Sequence, residues 1–195
     1  MFTGIISVLG KVEKREGARL SVSAKIKRPV LGASIAINGV CLTVVRTNGK
    51  KHEFEVGPET WSRTSLGSLK NGSPVNVETS LRLGDEIGGH FVSGHVDASA
   101  KILSFAPWDK EFWRLRIELP KALRGQVAEK GSIAVDGVSL TVTQTASTWF
   151  EIMLVPHTLK NTTLGRRKTG DSVNLEADPL ARYAFAAAAA LKGSR

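Results

Sequence analysis

Asn38 to Val44 reads NGVCLTV, and Asp136 to Val142 reads DGVSLTV. The second stretch repeats the first at an offset of 98, with Asn exchanged for Asp and the only cysteine, Cys41, exchanged for Ser139. The offset holds outward from there. SIAINGVCLTV from Ser34 falls on SIAVDGVSLTV from Ser132, PETWSRTSLG (Pro58 to Gly67) on PHTLKNTTLG (Pro156 to Gly165), and PVNVE (Pro74 to Glu78) on SVNLE (Ser172 to Glu176). Self-similarity that keeps its register over roughly 45 positions marks a duplicated structural unit rather than shared local propensity. Toward the front of each copy the offset becomes 90, since FTG at Phe2 matches VSG at Val92 and Lys11 matches Lys101. The second copy therefore carries eight more residues, and Pro107 and Asp109 place them in a loop around Ala106 to Glu111.

A chain of 195 residues can bury two small cores. Its charge of +9 raises the question of nucleic acid. The lysines and arginines are spread along the chain, their densest cluster is Arg166, Arg167 and Lys168, and neither an aromatic-rich RNA-binding motif nor a zinc spacing accompanies them. The basic residues read as solvated surface, with no nucleic-acid partner. No apolar run approaches the ~18 residues of a membrane span. The opening MFTGIISVLGK lacks the basic segment of a secretion signal, and one cysteine builds no disulfide framework, so a cytoplasmic location is expected.

Inside each copy the apolar period is two. In ARLSVSAKI, Leu20, Val22, Ala24 and Ile26 share a face, and in FWRLRIELP, Trp113, Leu115, Ile117 and Leu119 alternate with Arg114, Arg116 and Glu118. HEFEV and FEIML behave alike, and Thr47-Asn48-Gly49 and Lys70-Asn71-Gly72 punctuate the runs as turns. His52, between Lys51 and Glu53, reads as a solvated side chain. Short strands without a βαβ rhythm predict an all-β chain in which each copy closes into a small barrel, because closure removes exposed edges. ETWSRTSLG and its twin allow only a turn or two of helix. At the end of the chain Asp178 and Pro179 supply an N-cap and a proline at the first helical position, and LARYAFAAAAALK continues as helix. An alanine-rich helix this short needs something to pack on, either a neighbouring subunit or its own barrel.

The opening MFTGI, the two NGVCLTV and DGVSLTV blocks, DEIGGHFVSGHVD (Asp85 to Asp97) and the ending ADPLARY together resemble the riboflavin synthase family. The resemblance covers essentially the whole chain. It implies two Greek-key six-stranded lumazine-binding barrels, residues 1–86 and 87–178, followed by an oligomerisation helix, 179–195. It also implies a homotrimer, association with lumazine synthase, and a reaction that uses neither cofactor nor metal. In that reaction two molecules of 6,7-dimethyl-8-ribityllumazine dismutate by four-carbon transfer, giving riboflavin and 5-amino-6-ribitylaminouracil. The duplication then has a chemical reason: two identical substrates need two similar pockets, and unlike roles need the copies to differ where they react.

The substrate's C7 methyl must lose a proton, and His95 in SGHVD is the candidate base, because an imidazole titrates near neutral pH. His90 in GGH reads as a residue that positions its loop. Cys41 shares a strand face with Thr43 while Leu42 points the other way, and its thiol either contacts the ring or adds to it. Val40 stands where the family commonly has a second cysteine. Ser34, Thr43 and Thr60, with Ser132, Thr141 and Thr158, offer hydroxyls at the fixed offset. Ser34 joins the catalytic candidates, as does Asp178, for which helix cap and active-site carboxylate both fit. Substrate contact is implied for Gly4, Ile5 and Ile6; Cys41, Leu42 and Thr43; Glu55, Val56, Gly57, Pro58, Glu59 and Thr60; and Gly94, His95 and Val96. In the second copy it is implied for Lys130, Ser139, Leu140, Thr141, Leu154, Val155, Pro156, His157, Thr158 and Leu159. Glu59 against His157 makes the two sites unlike. The same domain also occurs in non-catalytic optical proteins that hold one chromophore, but those tend to lose the GGH and SGH phrases. A flavin-reductase barrel would need a following nucleotide domain, which has no G-x-G-x-x-G signature here.

Overall fold

The computed structural model describes residues 1–27 and 30–193. Six antiparallel strands, β1 (Val8–Glu16), β2 (Arg19–Ser23), β3 (Ser34–Ile37), β4 (Val40–Asn48), β5 (Lys51–Glu55) and β6 (Pro74–Thr79), close in the order β1-β2-β5-β4-β3-β6. The second copy repeats this with β7 (Ala98–Pro107), β8 (Trp113–Glu118), β9 (Ser132–Val135), β10 (Val138–Thr145), β11 (Trp149–Leu154) and β12 (Ser172–Ala177). Its closed order, β10-β11-β8-β7-β12-β9, is the same circle entered elsewhere. The eight extra residues of the second copy lengthen the β7–β8 hairpin and its turn. Short helices α1 (Pro58–Arg63) and α2 (Pro156–Asn161) start on a proline in equivalent places, and α3 (Pro179–Gly193) ends the described chain.

Each barrel has its own core. Leu20, Val22, Val44, Phe54, Leu66 and Val75 fill the first, and Leu115, Ile117, Phe150, Ile152, Leu164 and Val173 the second. Alternation sets which residues enter: Leu20, Val22 and Ala24 are buried, as are Leu115, Ile117 and Leu119. His52 corrects the reading given to it above. It is fully buried, with Nδ1 hydrogen-bonded to the Thr47 hydroxyl at 3.0 Å and Nε2 to the carbonyl of Ala24 at 3.1 Å. On β5 it shares the inward face with Phe54, so the strand period outweighs the charge of its neighbours.

The quoted stretches begin with the turns of two equivalent hairpins, β3–β4 and β9–β10. Asn38 (φ 46°) with Gly39 (φ 79°) and Asp136 (φ 47°) with Gly137 (φ 77°) have the two positive φ values of a tight hairpin turn. The turns meet back to back: a Cβ on Gly39 would lie 2.6 Å from the amide nitrogen of Gly137. Around this contact the side chains cross between barrels. Asn76 donates to the carbonyl of Asp136 and accepts from the amide of Thr163, while Asn174 donates to the carbonyl of Asn38 and accepts from the amide of Ser65. Phe2, Ala36, Val92 and Ala134 form a small apolar cluster of their own, against which Cys41 packs.

The segments preceding the two barrels are exchanged. Phe2 and Val92 pair through reciprocal backbone bonds of 2.7 and 3.1 Å. Beyond that bridge, Ile6 packs on the core of the second barrel, and its counterpart Val96 packs on the core of the first. Two arms, residues 2–6 and 92–96, thus each complete the other copy.

Candidate functional site

The exchange delivers the SGH phrase to the first copy. A cleft of about 240 Å³ is lined by Val40, Cys41, Glu59, Thr60, Arg63, Thr64, Gly94, His95 and Val96. Cys41 is half-buried on β4, on the outward face with exposed Thr43, while Leu42 is buried in the core. The Cys41 amide donates to the carbonyl of Gly94 at 2.9 Å. Gly94 has φ 82°, and a Cβ there would lie 2.6 Å from that of Cys41, so only glycine fits against the cysteine. His95 follows at once and is exposed to the cleft's solvent side. Glu59 and Arg63, one helical turn apart on α1, form an exposed ion pair at 3.2 Å.

The second copy repeats the backbone arrangement with other side chains. Ser139 takes the place of Cys41 and its amide donates to the carbonyl of Gly4 at 2.8 Å. Gly4 has φ 76°, and Ile5 occupies the position of His95. The Ser139 hydroxyl is hydrogen-bonded to His90 Nδ1 at 2.7 Å. His90 is buried, its Nε2 has no hydrogen-bond partner among the described residues, and burial pushes its pKa below the ordinary 6.5 while the nearby Asp178 carboxylate opposes that shift. Asp178 caps α3 by accepting from the amide of Leu180 at 2.9 Å. His157 and Asn161 replace Glu59 and Arg63, and the Asn161 amide donates to the His157 carbonyl.

Of the catalytic candidates, the fold brings Cys41 and His95 into one cleft and places Asp178 beside His90. Ser34 lines a separate groove with Ile26, Lys27, Val30 and Arg82. Glu59, Thr60, Gly94 and Val96 line the Cys41 cleft, whereas Val56 and Leu154 are buried in the cores. Glu55, Gly57, Pro58, Val155, Pro156, His157, Thr141 and Lys130 are exposed; Leu140 and Leu159 pack partly on the second core, and Thr158 is half-buried. Sequence reasoning missed Arg63 and Thr64, although α1 puts them one turn beyond Glu59 and Thr60 on the same face. It also missed the partnership of His90 with Ser139, which joins residues 49 apart and leaves no local signal. Among the described residues no group of His, Cys, Asp and Glu could hold a metal ion, and no helix is long and apolar enough to cross a membrane.

Known proteins agree with this architecture. The lumazine binding domain family matches residues 3–80 and 93–178, one match per barrel. Solved structures of LumP complexed with riboflavin and with 6,7-dimethyl-8-(1'-D-ribityl) lumazine superpose with TM-scores of 0.81 and 0.78. They cover 91% of this chain and 99% of theirs at 23% and 22% identity, a likeness of fold alone. Sequence relatives lie nearer. The riboflavin synthases of Actinobacillus pleuropneumoniae and Brucella abortus are each 43% identical, over 94% of this chain and 87% and 96% of their own lengths. That of Mycobacterium tuberculosis is 44% identical over 94% of this chain and 96% of its own. Two barrels with exchanged arms, two unlike copies of one backbone arrangement and similarity along nearly the full length lead to one conclusion: the chain belongs to the riboflavin synthase family.

Proposed function

We propose that the protein is a cofactor-independent transferase that dismutates two molecules of 6,7-dimethyl-8-ribityllumazine. One gives up a four-carbon unit to the other, and the products are riboflavin and 5-amino-6-(D-ribitylamino)uracil. The observation that carries a catalytic reading is the Cys41 cleft, where the arm of the second copy supplies His95 next to a thiol. His95 serves as the base for the C7 methyl of one lumazine, and the resulting carbanion attacks a second lumazine made electrophilic by addition of a nucleophile at its C7. Cys41 contacts that ring or adds to it. Holding two rings in register turns a bimolecular encounter into an effectively intramolecular one, a gain of up to roughly 7–11 kcal/mol.

The two rings need two clefts facing each other, and the first-copy cleft of one subunit meets the second-copy cleft of its neighbour in a homotrimer. Support comes from α3: Leu180, Tyr183 and Leu191 are 72%, 74% and 73% exposed, an apolar surface ready for a partner, while Phe185 rests on Gly125 of the second barrel and Arg182 holds Asp97 with two bonds of 2.9 and 3.0 Å. The helix is thus anchored to its own barrel by one side and offers the other. Residues 1–86 and 87–178 act as the two lumazine-binding units, each carrying the other's arm. A cytoplasmic location and association with lumazine synthase belong to the same reading. Incubating the purified protein with the lumazine alone tests it: riboflavin should form with no added cofactor. Tight binding without product would favour a chromophore-binding protein instead.

A further inference from the structure

Two carboxylates that the reaction does not use are buried at equivalent points of the two barrels. Glu176 on β12 is 2% exposed; its Oε1 accepts from the Ser93 amide and the Ser93 hydroxyl, both at 2.6 Å, and its Oε2 from the Gly94 amide at 3.0 Å. Glu78 on β6 is 4% exposed and receives the Thr3 amide at 2.7 Å, the Thr3 hydroxyl at 2.9 Å and the Gly4 amide at 3.1 Å. Burial raises the pKa of both carboxyls, and the bonds from the arm's amides and hydroxyls oppose that rise. Each carboxylate grips an arm at the point where it passes to the other copy.

We infer that Glu176 is the positioning residue of the first copy's cleft, seating the Ser93-Gly94 turn so that His95 stands in the cleft that Cys41 lines. The chain of contacts is short. The Ser93 hydroxyl that binds Glu176 also accepts from the His95 amide at 3.1 Å, fixing the backbone from which the imidazole projects. Gly94, whose amide Glu176 holds, returns its carbonyl to the Cys41 amide and lies in contact with the cysteine's Cβ. A loosened turn therefore shifts His95 and uncovers Cys41 together. Two residues on, Asp97 accepts from the Ala177 amide at 2.9 Å and pairs with Arg182, so the arm is held against β12 on both sides of His95. A carboxylate that served only to stabilise the barrel would have no such link to the cleft. Glu78 provides the control, because its burial and bonding match those of Glu176 while its arm ends at Ser139 instead of Cys41.

The test uses the full-length protein and its single cysteine, whose reaction with dithiobis(nitrobenzoate) has one source of signal. At a temperature where circular dichroism shows each variant folded, Glu176→Gln should raise the thiol rate about tenfold, as expected when a local opening is favoured by a factor of ten. It should lower kcat by about 10² with KM changed less than about threefold, the size of loss produced by a 1 Å misplacement. Ser93→Ala, which leaves the backbone bonds in place, should move both quantities the same way by less, and it decides the matter if Glu176→Gln does not fold. Glu78→Gln should leave the thiol rate within about twofold of wild type. An unchanged thiol rate and kcat in Glu176→Gln, or an equal rise in thiol rate in Glu78→Gln, overturns the inference. Only the kinetic readout rests on the proposed reaction: if the wild type makes no riboflavin, that reaction fails, and the thiol rates judge the clamp alone.

Discussion

At the Cys41 cleft the second copy's arm brings a glycine with positive φ and then His95; at Ser139 the first copy's arm brings a glycine with positive φ and then Ile5. The backbone bonds at the two places agree within 0.1 Å, at 2.9 Å for Cys41 to Gly94 and 2.8 Å for Ser139 to Gly4. Duplication has kept the frame and changed what hangs on it. The frame resists change because carboxylate, glycine and arm fit one another at fixed distances, whereas cleft side chains project into solvent and can be exchanged one at a time. A reaction between two identical molecules in different roles requires that division.

His95→Ala breaks the comparison most severely, since it makes the first cleft as poor in proton acceptors as the Ile5 position of the second. The expected outcome is a fall in kcat of about 10² to 10⁴, the usual share of a general base, with KM changed far less. Single-turnover kinetics under saturating lumazine measures it, and wild-type speed would remove His95 from the chemistry.

Next in size is a difference at the axis between the copies. Asp136 is fully buried and pairs with Arg167 at 2.6 Å, where the first copy has Asn38 and Leu69. Burial raises the Asp136 carboxyl's pKa, with Arg167 opposing the shift. Arg167→Leu should strand that carboxylate and cost about 3–5 kcal/mol in urea unfolding. Adding Asp136→Asn copies the first barrel's pair and should recover most of the loss, because Asn38 already accepts from the Asn76 amide as Asp136 does from the Asn174 amide. A double variant no better than the single would mean that the two turns are not interchangeable.

Cys41→Ser makes the first copy resemble the second at one atom. With the thiol as ring contact, the loss in kcat should stay near tenfold, well short of His95→Ala. A loss equal to that of His95→Ala would make Cys41 the nucleophile.

The duplication and the strands were legible because one register and one period ran through both copies: the offset of 98 from Ser34 to Glu78 and the alternation at Leu20, Val22 and Ala24 correspond to equivalent barrels and their inward faces. His52 was misread because its neighbours' charges drew attention from Phe54, two residues on, which already fixed the inward face. The exchange of arms left no trace in the sequence. FTG and VSG announce that each copy has an arm, but which barrel an arm completes depends on contacts such as Ile6 on the second core and Val96 on the first. Glu78 and Glu176 were visible as a repeated VN-V/L-E phrase, yet their role depends on donors some 75 to 83 residues away.

The smallest effect sharpens the same comparison through pH. Ser139 is bonded to a buried histidine, while the histidine at the Cys41 cleft is exposed. Burial lowers the pKa of His90, so the folded protein keeps it neutral where an unfolded chain, titrating at about 6.5, begins to take up a proton. The unfolded state then binds more protons, and the stability associated with His90 is fully present above about pH 6.5 and declines as the pH falls toward the folded pKa. Asp178 is the charged group that opposes the shift, favouring the imidazolium. Asp178→Asn should therefore move the His90 midpoint further down, and His90→Gln should flatten the part of the urea-stability profile just below pH 6.5. Imidazole proton resonances followed across that range measure the first effect. A His90 midpoint above 6.5 would mean that Asp178 outweighs burial, and the stability associated with His90 would then increase as the pH falls.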